Sequence, residues 1–211
     1  MYLNNVVNDF KKICNSINNY KVSSVYFDNI NENCYHQKID GDKEKIKIRA
    51  RYYNNSKKQI KIEAKVKSNN KNYKLKTSID TCEYENLLKY SIFSTENKNE
   101  DAKKIGFYLK YYAMQRNIKI DYNRIEFSLN ADSKLRFTID YDIFYCDPFL
   151  EHHFKRVVDN SLCIFEIKTS NALIDRATSY IINKYNMKSD TISKFSLAIQ
   201  AKKIDYTYYS N

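Results

Sequence analysis

Apolar and polar residues alternate with a period of two along four stretches of this chain. Lys45-Ile-Lys-Ile-Arg-Ala-Arg51 is the clearest, and Gln59-Ile-Lys-Ile-Glu-Ala-Lys-Val-Lys67 follows it. Arg136-Phe-Thr-Ile-Asp140 and Ile164-Phe-Glu-Ile-Lys168 repeat the pattern later. Such a period predicts strands with the charges on one face and the apolar side chains on the other. Like charges at every second residue stand about 7 Å apart and repel each other unless something anionic lies against them. The alternation therefore points to a polyanion.

Elsewhere the spacing changes. Leu3, Val6, Val7, Phe10, Ile13, Cys14 and Ile17 recur at helical intervals, which predicts a helix over 2–19. Further helices are expected over 83–93, 101–116 and 171–186. Strands are expected over 22–27, 44–53, 58–67, 72–79, 122–129, 134–145 and 161–168, with a last strand or extended segment over 193–201. Asn54-Asn55-Ser56, Ser68-Asn69-Asn70 and Asn130-Ala131-Asp132-Ser133 separate neighbouring strands. Asparagine takes the positive-φ turn positions in a chain that has 2 glycines.

The expected class is α+β, with about eight strands, mostly hairpin-connected, and several amphipathic helices. Two arrangements satisfy the pattern. The apolar faces line a core and the charges point to water, or the sheet closes with its charges inside and helices covering the apolar outside. Glu63, Glu126, Asp140 and Glu166 share the polar faces with the bases, a balance that a charged interior requires.

With 211 residues and no repeat or linker, one domain over 1–211 is expected. The net charge is +11, but Asn, Lys, Ile and Tyr abound while Gly, Pro and Trp number 2, 1 and 0. That bias inflates lysine on any surface, so the arginines are the better witnesses: Arg49, Arg51, Arg124 and Arg136 all fall on polar strand faces. The five cysteines are scattered without a C-x-x-C, and the three histidines lack metal spacing. They predict reduced thiols, a cytoplasmic location and no zinc site. No apolar run reaches membrane-spanning length and the N-terminus does not resemble a signal peptide.

The motifs then become familiar in order. Val22-Ser-Ser-Val-Tyr-Phe-Asp28, Lys47-Ile-Arg-Ala-Arg-Tyr52 and Ile62-Glu-Ala-Lys65 come first. Tyr122-Asn-Arg124 with Phe127, Leu135-Arg-Phe-Thr-Ile-Asp140, Phe165-Glu-Ile-Lys168 and Ile192-Ser-Lys-Phe195 complete the series. Together they resemble the VTC domain, the polyphosphate polymerase branch of the triphosphate tunnel metalloenzymes, a CYTH-like superfamily. Glu-x-Lys alone is common, and the ordered series over about residues 22–200 carries the likeness.

The resemblance implies a closed antiparallel β-barrel of about eight strands with helices packed outside. Its tunnel would bind a triphosphate or polyphosphate with Mn2+ or Mg2+. By motif position the phosphate-binding residues would be Lys47, Arg49, Arg51, Lys65, Lys76, Arg124, Arg136, Lys168, Ser193 and Lys194, with Lys194, Arg49 and Arg51 closest to catalysis. Glu166 would be the metal carboxylate, and Glu63 and Asp140 weaker acid candidates. Blander readings stand beside these. Lys76 reads equally as a surface lysine, Lys45 and Lys67 as strand-end lysines, Glu63 as the ion-pair partner of a base, and Asp140 as the support of an arginine.

The implied activity is transfer of the ATP γ-phosphoryl group onto polyphosphate. Triphosphate hydrolysis and non-catalytic binding of a polyanion are the alternatives, with phosphates rather than nucleic acid as partners. The family's strand before the first helix has no counterpart here, so an open seam is expected, one that would admit a second copy or a partner subunit.

Overall fold

A computed structural model describes residues 2–69, 71–96, 98–128, 136–148, 153–159, 162–168 and 176–209. The helices are α1 (Tyr2–Lys11), α2 (Asn33–Ile39), α3 (Thr81–Tyr90), α4 (Glu100–Tyr111), α5 (Arg176–Lys184) and α6 (Lys194–Tyr209). The strands are β1 (Ser16–Asp28), β2 (Lys45–Tyr53), β3 (Ser56–Ser68), β4 (Lys71–Ile79), β5 (Gln115–Ser128), β6 (Arg136–Cys146), β7 (Lys155–Arg156) and β8 (Ile164–Lys168). They form one 8-stranded sheet in the order β4-β3-β2-β1-β5-β6-β7, with β8 also paired to β6.

That order corrects the expectation of a closed barrel: the sheet is open. β4 pairs with β3 along one side only, and among the described residues it meets neither β7 nor β8. Its far edge is taken up locally. The backbone N–H of Lys76 donates to Asp101 Oδ2 on α4, 3.0 Å away, so a helix side chain occupies a position that a closing strand would need. At the other end β6 divides its pairing. Arg136–Asp140 pairs with β8, Phe144 and Tyr145 pair with β7, and Asp142 sits between them at φ 48. A strand bent by a left-handed residue presents no single straight edge.

The fold gathers into two compact units. The larger comprises Val22–Asp121, Phe144–Val157 and Ser193–Asn211. In it β2, β3 and β4 turn Ile46, Ile48, Ala50, Ile60, Ile62, Ala64, Val66, Leu75 and Ile79 inward, all buried. The α3 residues Tyr84, Leu87 and Leu88 and the α4 residues Ala102, Ile105 and Leu109 are buried as well, and these helices pack on β3 and β4. α3 starts on a capping box between Asp80 and Glu83. The β2–β3 hairpin turns on Asn54 and Asn55, at φ 49 and 58, as the asparagine argument requires.

The other unit comprises Met1–Lys21, Tyr122–Ile143 and Val158–Ile192. Val6 and Phe10 of α1 pack with Ile125, Phe127, Phe137, Ile139 and Ile181. The Phe10 ring lies 5.4, 5.3 and 5.1 Å from those of Phe127, Phe137 and Phe165.

Several element assignments change, among them β5, which begins at Gln115 where the helix expected over 101–116 would still run. The segment 193–201 is helical: Phe195, Ala198 and Ile199 are buried at i, i+3 and i+4, a spacing that a short apolar run hides. The first helix ends at Lys11 and β1 begins at Ser16, because Ile13, Cys14 and Ile17 fit either period. α2 was not expected. The Asp28 carboxylate accepts the backbone N–H groups of Cys34 and Tyr35, an anchor made by a residue several positions upstream. The Asn130–Ser133 loop, Leu135 and the start of the expected 171–186 helix lie outside the described residues.

Phe10→Ala should destabilise the fold by about 3–5 kcal/mol, since a fully buried ring with three aromatic neighbours leaves a cavity. A denaturant midpoint at constant m-value measures it.

Candidate functional site

Antiparallel register converts the alternating sequence into cross-strand rows in the larger unit. Tyr26, Arg49, Glu63 and Lys76 form one row. Ser24, Arg51, Lys61 and Ser78 form the next, and Lys47, Lys65 and Lys74 the row on the other side. Lys45 and Lys67 stand opposite each other beyond it. Nine bases on β2–β4 thus share a face with one acid, Glu63.

Glu63 is the hub of that face. Arg49 Nε donates to its Oε2 at 2.8 Å and Arg49 Nη2 lies 2.7 Å from the same oxygen. Arg51 Nη1 is 3.7 Å from it. Burial works against the Glu63 charge, but Arg49 and Arg51 outweigh it and hold the carboxyl below its ordinary range. Arg49 Nη1 also donates to the Tyr26 hydroxyl at 3.2 Å, and Arg51 Nε to Ser24 Oγ at 3.3 Å. Tyr26 is buried, which disfavours its phenolate, yet the charges of Arg49, Arg51 and Lys47 bring its pKa down to about 8.

Lys47 adds a second element to the face. Its Nζ donates to Ser193 Oγ at 2.9 Å and lies over the Phe195 ring at 5.1 Å. Ser193 precedes α6 and accepts the Ser196 N–H on the same oxygen. The Ser193 hydroxyl and the start of α6 therefore border Lys47, a setting suited to an anion. Burial, with Arg49 nearby, pulls the Lys47 pKa down, and an arriving anion would push it back up.

The smaller unit has a different balance. Arg124 forms a two-pronged pair with Asp140, Nε to Oδ1 at 2.6 Å and Nη2 to Oδ2 at 2.7 Å, with both residues buried. Burial opposes the guanidinium charge and Asp140 more than restores it. Asp140 is thus placed to hold an arginine. Tyr20 donates to Glu126 Oε2 at 2.5 Å, and Arg136 Nη1 lies 3.9 Å from Glu126 Oε1. Arg136 stands opposite Lys168 and Thr138 opposite Glu166, with Lys168 Nζ 3.6 Å from Glu166. Among the described residues the buried Thr138 hydroxyl finds no hydrogen-bond partner. Arg124, Arg136 and Lys168 here face Glu126, Asp140 and Glu166, close to neutrality.

Each residue named from sequence falls into one of these two groups. Lys47, Arg49, Arg51, Lys65, Lys76, Ser193 and Lys194 belong to the larger unit, and Arg124, Arg136, Glu166 and Lys168 to the smaller. Lys65 and Lys76 are exposed, and Arg136 has 65% of its side chain in solvent. Sequence reasoning missed Tyr26, Ser24 and Lys74. The signal was present in Val22–Asp28, where Ser24, Tyr26 and Asp28 alternate with Val25 and Phe27.

Among the described residues no three His, Cys, Asp or Glu side chains group as a metal cage. Asp140 and Glu126 are engaged with Arg124 and Tyr20. Glu166 fits a hard cation only in the mode where one carboxylate acts with phosphate oxygens and water.

Two solved structures resemble the chain at 11% identity. One is the PH1819 protein from Pyrococcus horikoshii OT3, with 94% of this chain and 91% of that one covered and a TM-score of 0.49. The other, from Bacillus halodurans, is described as a putative adenylate cyclase, with 83% and 79% covered and a TM-score of 0.50. At that identity the second likeness concerns the fold alone. No curated protein matches. The VTC domain model matches residues 4–203, nearly the whole chain, and with the ordered strand motifs it shows that this protein belongs to the VTC domain family.

Proposed function

We propose that this chain is a phosphoryl transferase of the polyphosphate polymerase type, moving the ATP γ-phosphoryl group onto the end of a polyphosphate chain. The observation that carries the reading is the β2–β4 face, nine bases against Glu63 on one set of paired rows. A surface so one-sided costs repulsion unless an anion fills it, and a chain of phosphates offers a charge at each unit. The VTC domain family supports the phosphate class.

Arg49 and Arg51 suit bidentate grip on phosphate oxygens, and Lys47, Lys65 and Lys76 act as point charges. Lys47, Ser193 and the start of α6 offer donors to a further phosphate. Arg124, held rigid by Asp140, is pre-organised for a charge that grows during transfer. A terminal oxygen of the acceptor chain attacks the γ-phosphorus, the bond to the β-phosphate oxygen breaks, and ADP leaves with that electron pair. Mn2+ or Mg2+ held by Glu166 and phosphate oxygens would supply charge neutralisation. With water as acceptor the same residues would hydrolyse a triphosphate.

Incubation with γ-labelled ATP and Mn2+ tests the reading directly. A ladder of polyphosphate supports it, free phosphate alone points to a triphosphatase, and retained nucleotide without product points to a binding module. Glu166→Gln should abolish turnover while preserving nucleotide retention on a filter. Loss of retention with turnover intact would remove Glu166 from the proposed role.

Glu63→Gln should act in two opposite ways. The free protein loses the carboxylate shared by Arg49 and Arg51 and melts at lower temperature, while tripolyphosphate raises its melting temperature more than that of the parent chain. Equal ligand-induced shifts in both proteins would show that Glu63 does not compete with phosphate.

Tripolyphosphate affinity should fall as pH rises through about 8, where Tyr26 ionises. The sign follows from charge: a phenolate at Arg49 removes positive potential, and a bound anion favours the protonated phenol. Calorimetric titration at neutral and alkaline pH measures the loss, and Tyr26→Phe should flatten it.

A further inference from the structure

On the larger unit the face of α4 opposite the core carries a second, unrelated pattern. Ala102, Ile105 and Leu109 point inward and are buried. On the far side Phe107 is 59% and Tyr111 68% exposed, and their rings stack at 5.2 Å and 21°. Tyr112 meets Tyr111 edge-on at 4.9 Å, and the Tyr108 hydroxyl lies 3.2 Å from that of Tyr73 on β4. Single exposed aromatics are ordinary, but a continuous ridge of rings on one helix is not. The helix geometry sets Lys103 and Lys110 on one flank of Phe107 and Tyr111 and Lys104 on the other, and all three lysines are exposed. Glu100 pairs with Lys103 at 2.9 Å at the start of the helix, an exposed pair of small worth.

We propose that this face of α4 docks on an anionic lipid bilayer. The charge pattern selects that occupant. Lysines flanking an aromatic ridge complement a plane of phosphate headgroups, since their long stems let the ammonium groups reach the phosphates while the rings enter the zone beneath. The ridge is convex and its rings protrude, which suits a soft, deformable surface. Beside it lies a cleft of about 830 Å3 lined by Ile92, Phe93, Phe107 and Met114, with Lys103 and Lys110 at its border, so apolar volume and positive charge continue together. Gly106 keeps this corner close-packed: a Cβ there would stand 2.5 Å from Thr95 Cγ2. None of these residues belongs to the β2–β4 basic face, so the inference stands apart from the phosphate reading.

The test is co-sedimentation of the full chain with phosphatidylcholine vesicles, with and without phosphatidylserine. Binding is expected only with phosphatidylserine. The double variant Phe107→Ser and Tyr111→Ser, both exposed and therefore tolerated by the fold, should bind about tenfold more weakly or worse. Lys104→Gln with Lys110→Gln should weaken binding most at low salt. Vesicle binding that survives loss of both aromatic rings would assign it to charge elsewhere and overturn the proposal. So would absence of binding, or a concentration-dependent dimer in ultracentrifugation that disappears in the aromatic variant, which would make a second copy the occupant.

Discussion

Burial of one face of β2, β3 and β4, with α3 and α4 packed on β3 and β4, obliges the same strands to carry their charges on the other. Ile46, Ile48, Ile60, Ile62, Ala64 and Val66 cannot leave the core without exposing apolar area worth about 25 cal/mol per Å2. With period two, the intervening lysines and arginines then have a single destination. Cross-strand pairing sets them beside one another in rows, so a repulsive array is the by-product of a stable core. Glu63 relieves part of it by meeting two guanidiniums with one carboxylate. The remaining excess is an electrostatic demand that a polyanion can satisfy.

The smaller unit meets the same demand internally. Arg124 and Asp140 are both buried and make two short hydrogen bonds, and an ion pair taken out of water needs that geometry to offset the loss of hydration. Its three bases face three acids, so its polar face stores little net charge. One unit thus offers attraction and the other a fixed, pre-oriented guanidinium.

Much of this was legible along the chain. The alternation at 45–51 and 59–67 located β2 and β3, the paired asparagines located their turn, and the ordered motifs named the family. Arg49, Arg51 and Arg124 stood out along the chain because a coding bias that favours lysine gives arginine no free supply. Less legible were residues whose neighbours decide them. Tyr26 reads as one more aromatic in a tyrosine-rich chain until pairing sets it opposite Arg49. The segment 193–201 reads as extended because short apolar runs fit two periods, and its burial as a helix separates them. Closure stayed divided between a closed barrel and an open seam, because it depends on the edge of β4 and on the bend at Asp142 in β6.

The sequence by itself determined the strand faces, the hairpin turn at Asn54 and Asn55, the sign of the charge and the family, because each follows from local periodicity or from residues adjacent in the chain. The tertiary structure alone decided that the sheet stays open, that Glu63 is shared by two arginines, that Asp140 supports Arg124, and that Ser193 at the start of α6 meets Lys47. Those outcomes join residues between 12 and 146 positions apart, from the Arg51–Glu63 pair to the Lys47–Ser193 pair. Even the near ones depend on which strand lies alongside, and that is settled only when the apolar faces are buried together.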